Sequence, residues 1–163
     1  MASHTVHLSL GSNLGDRRAQ IEDALARLET GGVRIVKRSP LYETEPVEVT
    51  DQPWFLNCAV EAQTELAPRE LLDAIYRIEQ QLGRERAVVR GPRTIDIDLL
   101  LYDAITLHTP QLDIPHPRMA QRRFVLVPLA EIAPSLPHPT SQRTIAELLA
   151  ACEDRSEVRL WQS

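Results

Sequence analysis

The segment Ile95-Asp96-Ile97-Asp98-Leu99-Leu100-Leu101-Tyr102 constrains the fold more than any other stretch. Ile95, Ile97, Leu99 and Leu101 alternate with Asp96, Asp98, Leu100 and Tyr102, the period of a β-strand. Asp96 and Asp98 therefore share one face, with α-carbons roughly 6.5–7 Å apart. The Leu99-Leu100-Leu101 run predicts a central strand buried on both faces. Carboxylates entering such a strand need partners. Two of them side by side repel unless a cation lies between, and their oxygens are hard ligands suited to Mg²⁺. Arg84, Arg86, Arg90 and Arg93 precede them, so acidic groups for a metal stand beside basic groups for phosphate. Exposed carboxylates on an edge strand are the plainer reading of Asp-x-Asp alone.

The rest of the chain supplies a frame for that strand. Val6, Leu8 and Leu10 alternate with His7 and Ser9 in a first strand that stops at the turn-rich Gly11-Ser12-Asn13-Leu14-Gly15. Ile21, Leu25 and Leu28 keep helical spacing, and Gly31-Gly32 ends that helix. The Gly11–Gly15 turn either cradles a phosphate at the helix N-terminus or is structural; it lacks the Gly-Lys-Ser/Thr ending of a P-loop. Residues 33–39 form a second strand. The stretch from Leu41 to Pro53, punctuated by Pro40, Pro46 and Pro53, reads as a mobile loop or as a merely exposed connection.

Residues 54–64 form a third strand, with Phe55, Asn57, Ala59 and Glu61 on one face and Leu56, Cys58, Val60 and Ala62 on the other. Phe55 beside Asn57 is equally a heterocycle contact or a core pair. Pro68 opens a second helix with the stripe Leu71, Leu72, Ile75, Ile78 and Leu82, and Gly83 ends it. Strand, helix, strand, strand, helix, strand is the ferredoxin-like βαββαβ order, an α+β fold with an antiparallel or mixed sheet. C-terminal additions follow. His116 is held between Pro115 and Pro117, a short helix runs through Leu129 to Ile132, and Thr144 and Glu147 form a capping box for a last helix. The end around Trp161 fits a short strand or a segment ordered by packing.

The 163 residues predict one domain, 1–163. With 43% hydrophobic and 25% charged residues the composition is that of a soluble globular protein. A net charge of −5 argues against nucleic-acid and membrane partners, which makes the arginines at 84–93 a local exception. Cys58 and Cys152 sit in apolar patterns and read as core thiols, and no long apolar segment occurs, so a cytoplasmic monomer is expected. A metal-dependent phosphodiesterase and a non-catalytic ferredoxin-like module are the rival readings of these features.

The chain resembles the 6-hydroxymethyl-7,8-dihydropterin pyrophosphokinases of folate biosynthesis. The resemblance runs through Leu8–Asp16, Tyr42-x-Thr44, Phe55-Leu56-Asn57, Ile78-Glu79, Gly83-Arg84, Gly91-Pro92-Arg93-Thr94-x-Asp96-x-Asp98, Pro115-His116-Pro117 and Arg122-x-Phe124. It implies transfer of pyrophosphate from ATP to the hydroxymethyl oxygen of the pterin, with release of AMP. It implies two Mg²⁺ on Asp96 and Asp98, which with Arg84 and Arg93 form the catalytic set. ATP contacts fall on Glu79, Arg84, Arg86, Arg93, Leu99, His116 and Arg122. Pterin contacts fall on Thr44, Val47, Phe55, Asn57 and Phe124, with the ring stacked between the two phenylalanines. The chain departs from many members at Phe55, where they carry Tyr, at Arg90, where they carry an aromatic, and at Glu45, where some carry Pro. Loops near 45–53 and 84–92 are expected to close over the substrates and exclude water.

Overall fold

The computed structural model describes residues 3–47, 51–83 and 94–162. Among these, strands β1 (His4–Ser12), β2 (Val33–Arg38), β3 (Tyr42–Thr44), β4 (Phe55–Thr64) and β5 (Asp96–Tyr102) alternate with helices α1 (Arg17–Thr30) and α2 (Pro68–Gly83). A small hairpin follows, β6 (Leu107–His108) with β7 (Asp113–Ile114). Then come α3 (Arg123–Ile132), α4 (Ile145–Ala151) and the terminal β8 (Val158–Leu160).

The main sheet has the order β5-β1-β4-β3-β8, with β2 also on β4, and every pairing is antiparallel. Each crossover leaves a gap that another strand fills. β1 and β2 are split by β4, and β4 and β5 are split by β1, which is the ferredoxin-like arrangement the sequence predicts. β2 and β3 share one edge of β4: β2 lies along Val60–Thr64 and β3 along Phe55–Asn57. Ser39 spans the break, its amide donating to Ala59 O (2.9 Å) and its hydroxyl accepting from Ala59 N (3.0 Å).

Both crossover helices pack on one face. Ile21, Leu25 and Leu28 of α1 and Leu71, Ile75 and Ile78 of α2 meet Leu8, Leu10, Leu56, Cys58, Val60 and Ala62 in the larger core. The alternation read along β4 holds. α1 begins on Asp16, whose side chain accepts from Ala19 N. α4 carries the full Thr144–Glu147 capping box. The two cysteines are free, Cys58 buried and Cys152 half-buried.

The opposite face is covered over only part of its length. α3 lies against it, with α4 behind, and closes a second core of Ala59, Leu100, Leu101, Met119, Val125, Leu126 and Leu129. α3 forms despite Pro128 at its sixth position, because the helix is otherwise apolar and buried.

Four expectations change. β5 is an edge strand, with β1 its one strand neighbour among the described residues, although most of its side chains are buried. α2, α3 and the hairpin wrap it, which accounts for the leucine run. Its alternation breaks at Leu100: Leu8 pairs with Leu99 and His7 with Leu101, leaving Leu100 as the extra residue of a bulge. Residues 42–44 form a strand rather than part of a loop. β1 runs on through Gly11 and Ser12, so the first two residues of the expected turn belong to the sheet.

Candidate active site

The uncovered half of the outer face is a cavity of about 380 Å³. Its floor is set by register. Tyr42, Asn57, Gly11 and Asp96 stand in one row across β3, β4, β1 and β5, and Ala59, Ser9 and Asp98 stand in the next. Two short side chains, Ser9 and Gly11, therefore separate the Asp96–Asp98 pair from Asn57. That spacing opens a trough instead of a packed surface.

Asn57 is buried, and its Nδ2 donates to Thr44 Oγ1 at 2.6 Å. The bond fixes which end of the amide faces the cavity. A β-carbon on residue 11 would collide with Asn57 Oδ1, so the row accepts only glycine there without displacement. Phe55 lies on β4, two residues before Asn57 on the same face. Phe124 stands in the first turn of α3 and forms the facing wall. Arg122, at the N-cap of that helix, holds its guanidinium 5.6 Å from the Phe124 ring centroid.

The segment before β4 is tied down by Asn13, the residue after β1. Asn13, buried, donates through Nδ2 to Gln52 Oε1 (2.8 Å) and Pro53 O (2.9 Å), which places Gln52 at the cavity. Glu45, Pro46 and Val47 complete the lip.

The edge of β5 is closed by two groups. Glu79 Oε2 accepts from Ile97 N at 2.8 Å, and His116 N donates to Leu100 O at 2.9 Å. Both satisfy outward-facing backbone groups of an edge strand. His116 lines the cavity beside Asp96, Asp98 and Arg122. Burial, then the positive charges of Arg122 and Arg118, push its pKa down to about 4. Its Nδ1 accepts from Arg118 N at 3.2 Å, so the neutral ring carries its proton on Nε2 and offers it as a donor.

The structure thus brings Thr44, Val47, Phe55, Asn57, Asp96, Asp98, His116, Arg122 and Phe124 to one cavity. Glu79 stands behind it, at the strand edge. The Leu99 side chain is buried in the larger core and does not line it. Arg84, Arg86, Arg90 and Arg93, with residues 48–50, lie outside the described residues. So does the whole of the expected closing loop at 84–92.

Ser9, Gln52 and Arg118 are cavity residues to which sequence reasoning assigned no role, and Gly11, read there as part of a phosphate cradle or a structural turn, stands in the cavity floor. Ser9 and Gly11 were legible in principle, since a strand paired in antiparallel register beside Asp96 and Asp98 must show its small residues to the same face.

Among the described residues no three of His, Cys, Asp and Glu cluster tightly enough to hold a metal by themselves. Asp96 and Asp98 supply two hard oxygen donors on the cavity wall with no thiolate on their face. That set suits Mg²⁺ sharing its remaining positions with phosphate oxygens and water. No helix among the described residues is long and apolar enough to cross a membrane.

Residues 7–134 match the family described as 7,8-dihydro-6-hydroxymethylpterin-pyrophosphokinase. The chain is 44% identical over 161 residues to the 2-amino-4-hydroxy-6-hydroxymethyldihydropteridine pyrophosphokinase of Bacillus subtilis, covering 98% of this chain and 92% of that protein. It is 47% identical over 148 residues to the protein of the same name from Pseudomonas aeruginosa, covering 90% and 91%. The folic acid synthesis protein fol1 of Schizosaccharomyces pombe is 41% identical over 158 residues, which is 96% of this chain but 21% of that longer protein. The Plasmodium falciparum HPPK-DHPS crystallised with pteroate shares the fold with a TM-score of 0.74 at 18% identity, over 92% of this chain and 42% of its own. By sequence match over most of its length, on a fold and cavity that agree with it, the chain belongs to the 7,8-dihydro-6-hydroxymethylpterin-pyrophosphokinase family.

Proposed function

We propose that the protein transfers the terminal pyrophosphoryl group of ATP to the hydroxymethyl oxygen of 6-hydroxymethyl-7,8-dihydropterin, giving the pterin diphosphate and AMP for folate biosynthesis. The pterin oxygen attacks the β-phosphorus. The bond from that phosphorus to the α,β-bridging oxygen breaks, AMP departs, and the alcohol proton passes to solvent. The observation that supports this most is the trough. It sets an acidic pair on one side of Gly11 and, on the other, an amide with Phe55 and Phe124 in the same cavity.

The pterin fits between Phe55 and Phe124, whose faces gain by stacking on a flat heterocycle. Asn57 and the backbone near Thr44 and Val47 read its hydrogen-bonding edge. In this reading Asp96 and Asp98 would hold two Mg²⁺, which when bound would supply neutralisation of phosphate charge. His116, neutral at physiological pH, donates from Nε2 to a nucleotide oxygen without adding a charge that must be desolvated. Arg122 supports the phosphates, and Arg84, Arg86 and Arg93 are proposed to complete that cationic wall. Glu79 holds β5 from its edge, next to the nucleotide. Leu99, its side chain in the core, offers its main chain, which shares the outward parity of Ile97.

No strong protein base is needed, because positioning and charge neutralisation carry phosphoryl-type transfer. Residues 1–163 act as one domain and as a monomer in the cytoplasm, with ATP and the reduced pterin as partners and with neither nucleic acid nor membrane. The test is AMP release by the purified protein with ATP and magnesium, with and without the reduced pterin alcohol. AMP formed only with the pterin, and abolished by EDTA, is expected. Nucleotide hydrolysis independent of pterin would overturn the reading.

A further inference from the structure

The two walls of the slot belong to different elements. Phe124 rises from the first turn of α3, whereas Thr44 to Val47 continue from β3. At the inner end the walls are joined directly, by Tyr42 Oη donating to Glu131 at 2.7 Å. At the mouth a third segment joins them, the C-terminal tail, which lies beyond the residues that match the family.

The tail holds the α3 wall first. α3 has no side-chain cap of its own, since its N-cap residue is Arg122. Asp154 supplies one from outside: its Oδ2 accepts from Arg123 N at 3.0 Å, one residue before Phe124. The same carboxylate's Oδ1 accepts from Ser156 N (2.9 Å) and Ser156 Oγ (2.6 Å). Arg123 Nη1 donates back to Ser156 O at 3.0 Å.

The tail then grips the lip. Glu45 N donates to Glu157 O (3.0 Å), and Glu157 N donates to Glu45 Oε1 (2.9 Å). β8 pairs with β3 over Tyr42–Thr44, and Trp161 N donates to Leu41 O at 3.0 Å. Arg159 fastens the back of the lip. Its Nη2 donates to Glu43 Oε1 at 3.0 Å, and its guanidinium lies 4.7 Å from the ring of Trp54, which immediately precedes Phe55. Arg17 closes the cluster from α1, donating from Nη1 to Glu43 Oε2 (2.9 Å) and to Trp54 O (2.9 Å).

We propose that the tail, residues 154–161, sets the width of the pterin slot by holding Phe124 and the Thr44–Val47 lip at a fixed separation, with Asp154 and Arg159 as its positioning residues. The proposal rests on the pterin reading of the slot. It concerns chiefly the pterin half: Asp96 and Asp98 stand on β5, His116 follows the hairpin and Glu79 stands on α2, whereas Arg122, next to the Asp154 anchor, is the ATP-side residue that the tail adjoins. A ring stacked between two faces is sensitive to their spacing, because dispersion falls steeply with a gap of half an ångström.

The test compares Arg159→Ala, Arg159→Lys and Asp154→Ala with the unaltered full chain, by steady-state kinetics and by amide hydrogen exchange. Arg159→Ala and Asp154→Ala are each expected to raise KM for the pterin about five- to tenfold, with KM for ATP unchanged within about twofold in Arg159→Ala, which acts on the lip away from Arg122. Arg159→Lys keeps the charge but loses the planar fork and the stacking, so it is expected to recover part of the loss. Exchange across residues 42–47 is expected to quicken about tenfold in Arg159→Ala while Leu8 to Leu10 stay protected. A pterin KM equal to that of the unaltered protein would overturn the proposal. So would a parallel rise in both KM values with exchange quickened throughout the sheet, which marks general loss of stability. Should the unaltered protein form no AMP, the proposed reaction fails; the exchange measurement still decides whether the tail holds the lip.

Discussion

In the β1–β4 ladder Gly11 stands directly opposite Asn57, and the amide oxygen of Asn57 fills the space that a side chain on residue 11 would need. The amide cannot retreat freely, because Nδ2 is held by Thr44 Oγ1 at 2.6 Å. Gly11→Ala is therefore expected to destabilise the fold by about 1–3 kcal/mol through overpacking. It also turns Asn57 out of its cavity position and weakens pterin binding about tenfold or more. Urea denaturation and the pterin KM, measured on the same preparation, check both effects.

Asp96 and Asp98 project from alternate positions of one strand onto the cavity wall. Asp96→Ala and Asp98→Ala are each expected to lower AMP formation by about 10³-fold or more. The far-ultraviolet circular dichroism should remain that of the unaltered chain. Activity within tenfold of the unaltered enzyme in either variant would contradict the assignment of the pair.

His116 gives a pH signature with a defined sign. Its folded pKa of about 4 lies below the unfolded value of 6.5, so between those limits the unfolded chain binds a proton that the native ring does not. The stability this ring contributes is complete above pH 6.5 and is lost as pH falls toward 4. His116→Asn lacks that term. The difference in unfolding free energy between the unaltered protein and His116→Asn should therefore shift against the unaltered protein from pH 7 to pH 4.5, and comparison with the variant removes the contributions of His7 and His138. A pH-independent difference would show that the ring titrates normally.

Glu79 caps the free edge of β5 by accepting from Ile97 N at 2.8 Å. Glu79→Ala leaves that amide without its carboxylate and is expected to cost about 1–3 kcal/mol. Faster exchange of the Ile97 amide and a higher KM for ATP should accompany the loss. Glu79→Gln keeps an acceptor and should recover most of the stability.

Much of this arrangement was legible in the residues because local pattern and tertiary demand agree. The stripes of α1 and α2, the two faces of β4 and the Thr144 capping box are fixed by neighbours within a turn or two. The Asp96–Asp98 face is likewise decided by strand parity up to Leu99. What the sequence hid depends on contacts far along the chain. Periodicity cannot distinguish a central strand from an edge strand wrapped by helices, so the leucine run of β5 suggested the wrong neighbours. β3 is three residues long and is a strand only because β4 and β8 flank it. The same holds at the cavity: Phe55, Asn57 and Phe124 carry recognisable chemistry, whereas Ser9 and Gly11, although inside the Leu8–Asp16 motif, matter for being small, a reason that only strand register reveals.

The extra residue at Leu100 has a consequence for how this chain tolerates change in length. On one side of it the even-numbered positions of β5 line the cavity; on the other, Tyr102 is turned inward, where its hydroxyl reaches Leu66 O at 2.6 Å. The bulge works as a phase shifter between two halves that must each be in step with a different surrounding. Deleting one residue from the leucine run would keep the composition and the propensity of the segment almost intact. It would nevertheless force a choice between driving both acids into hydrocarbon and expelling the tyrosine, without substituting any residue that lines the cavity.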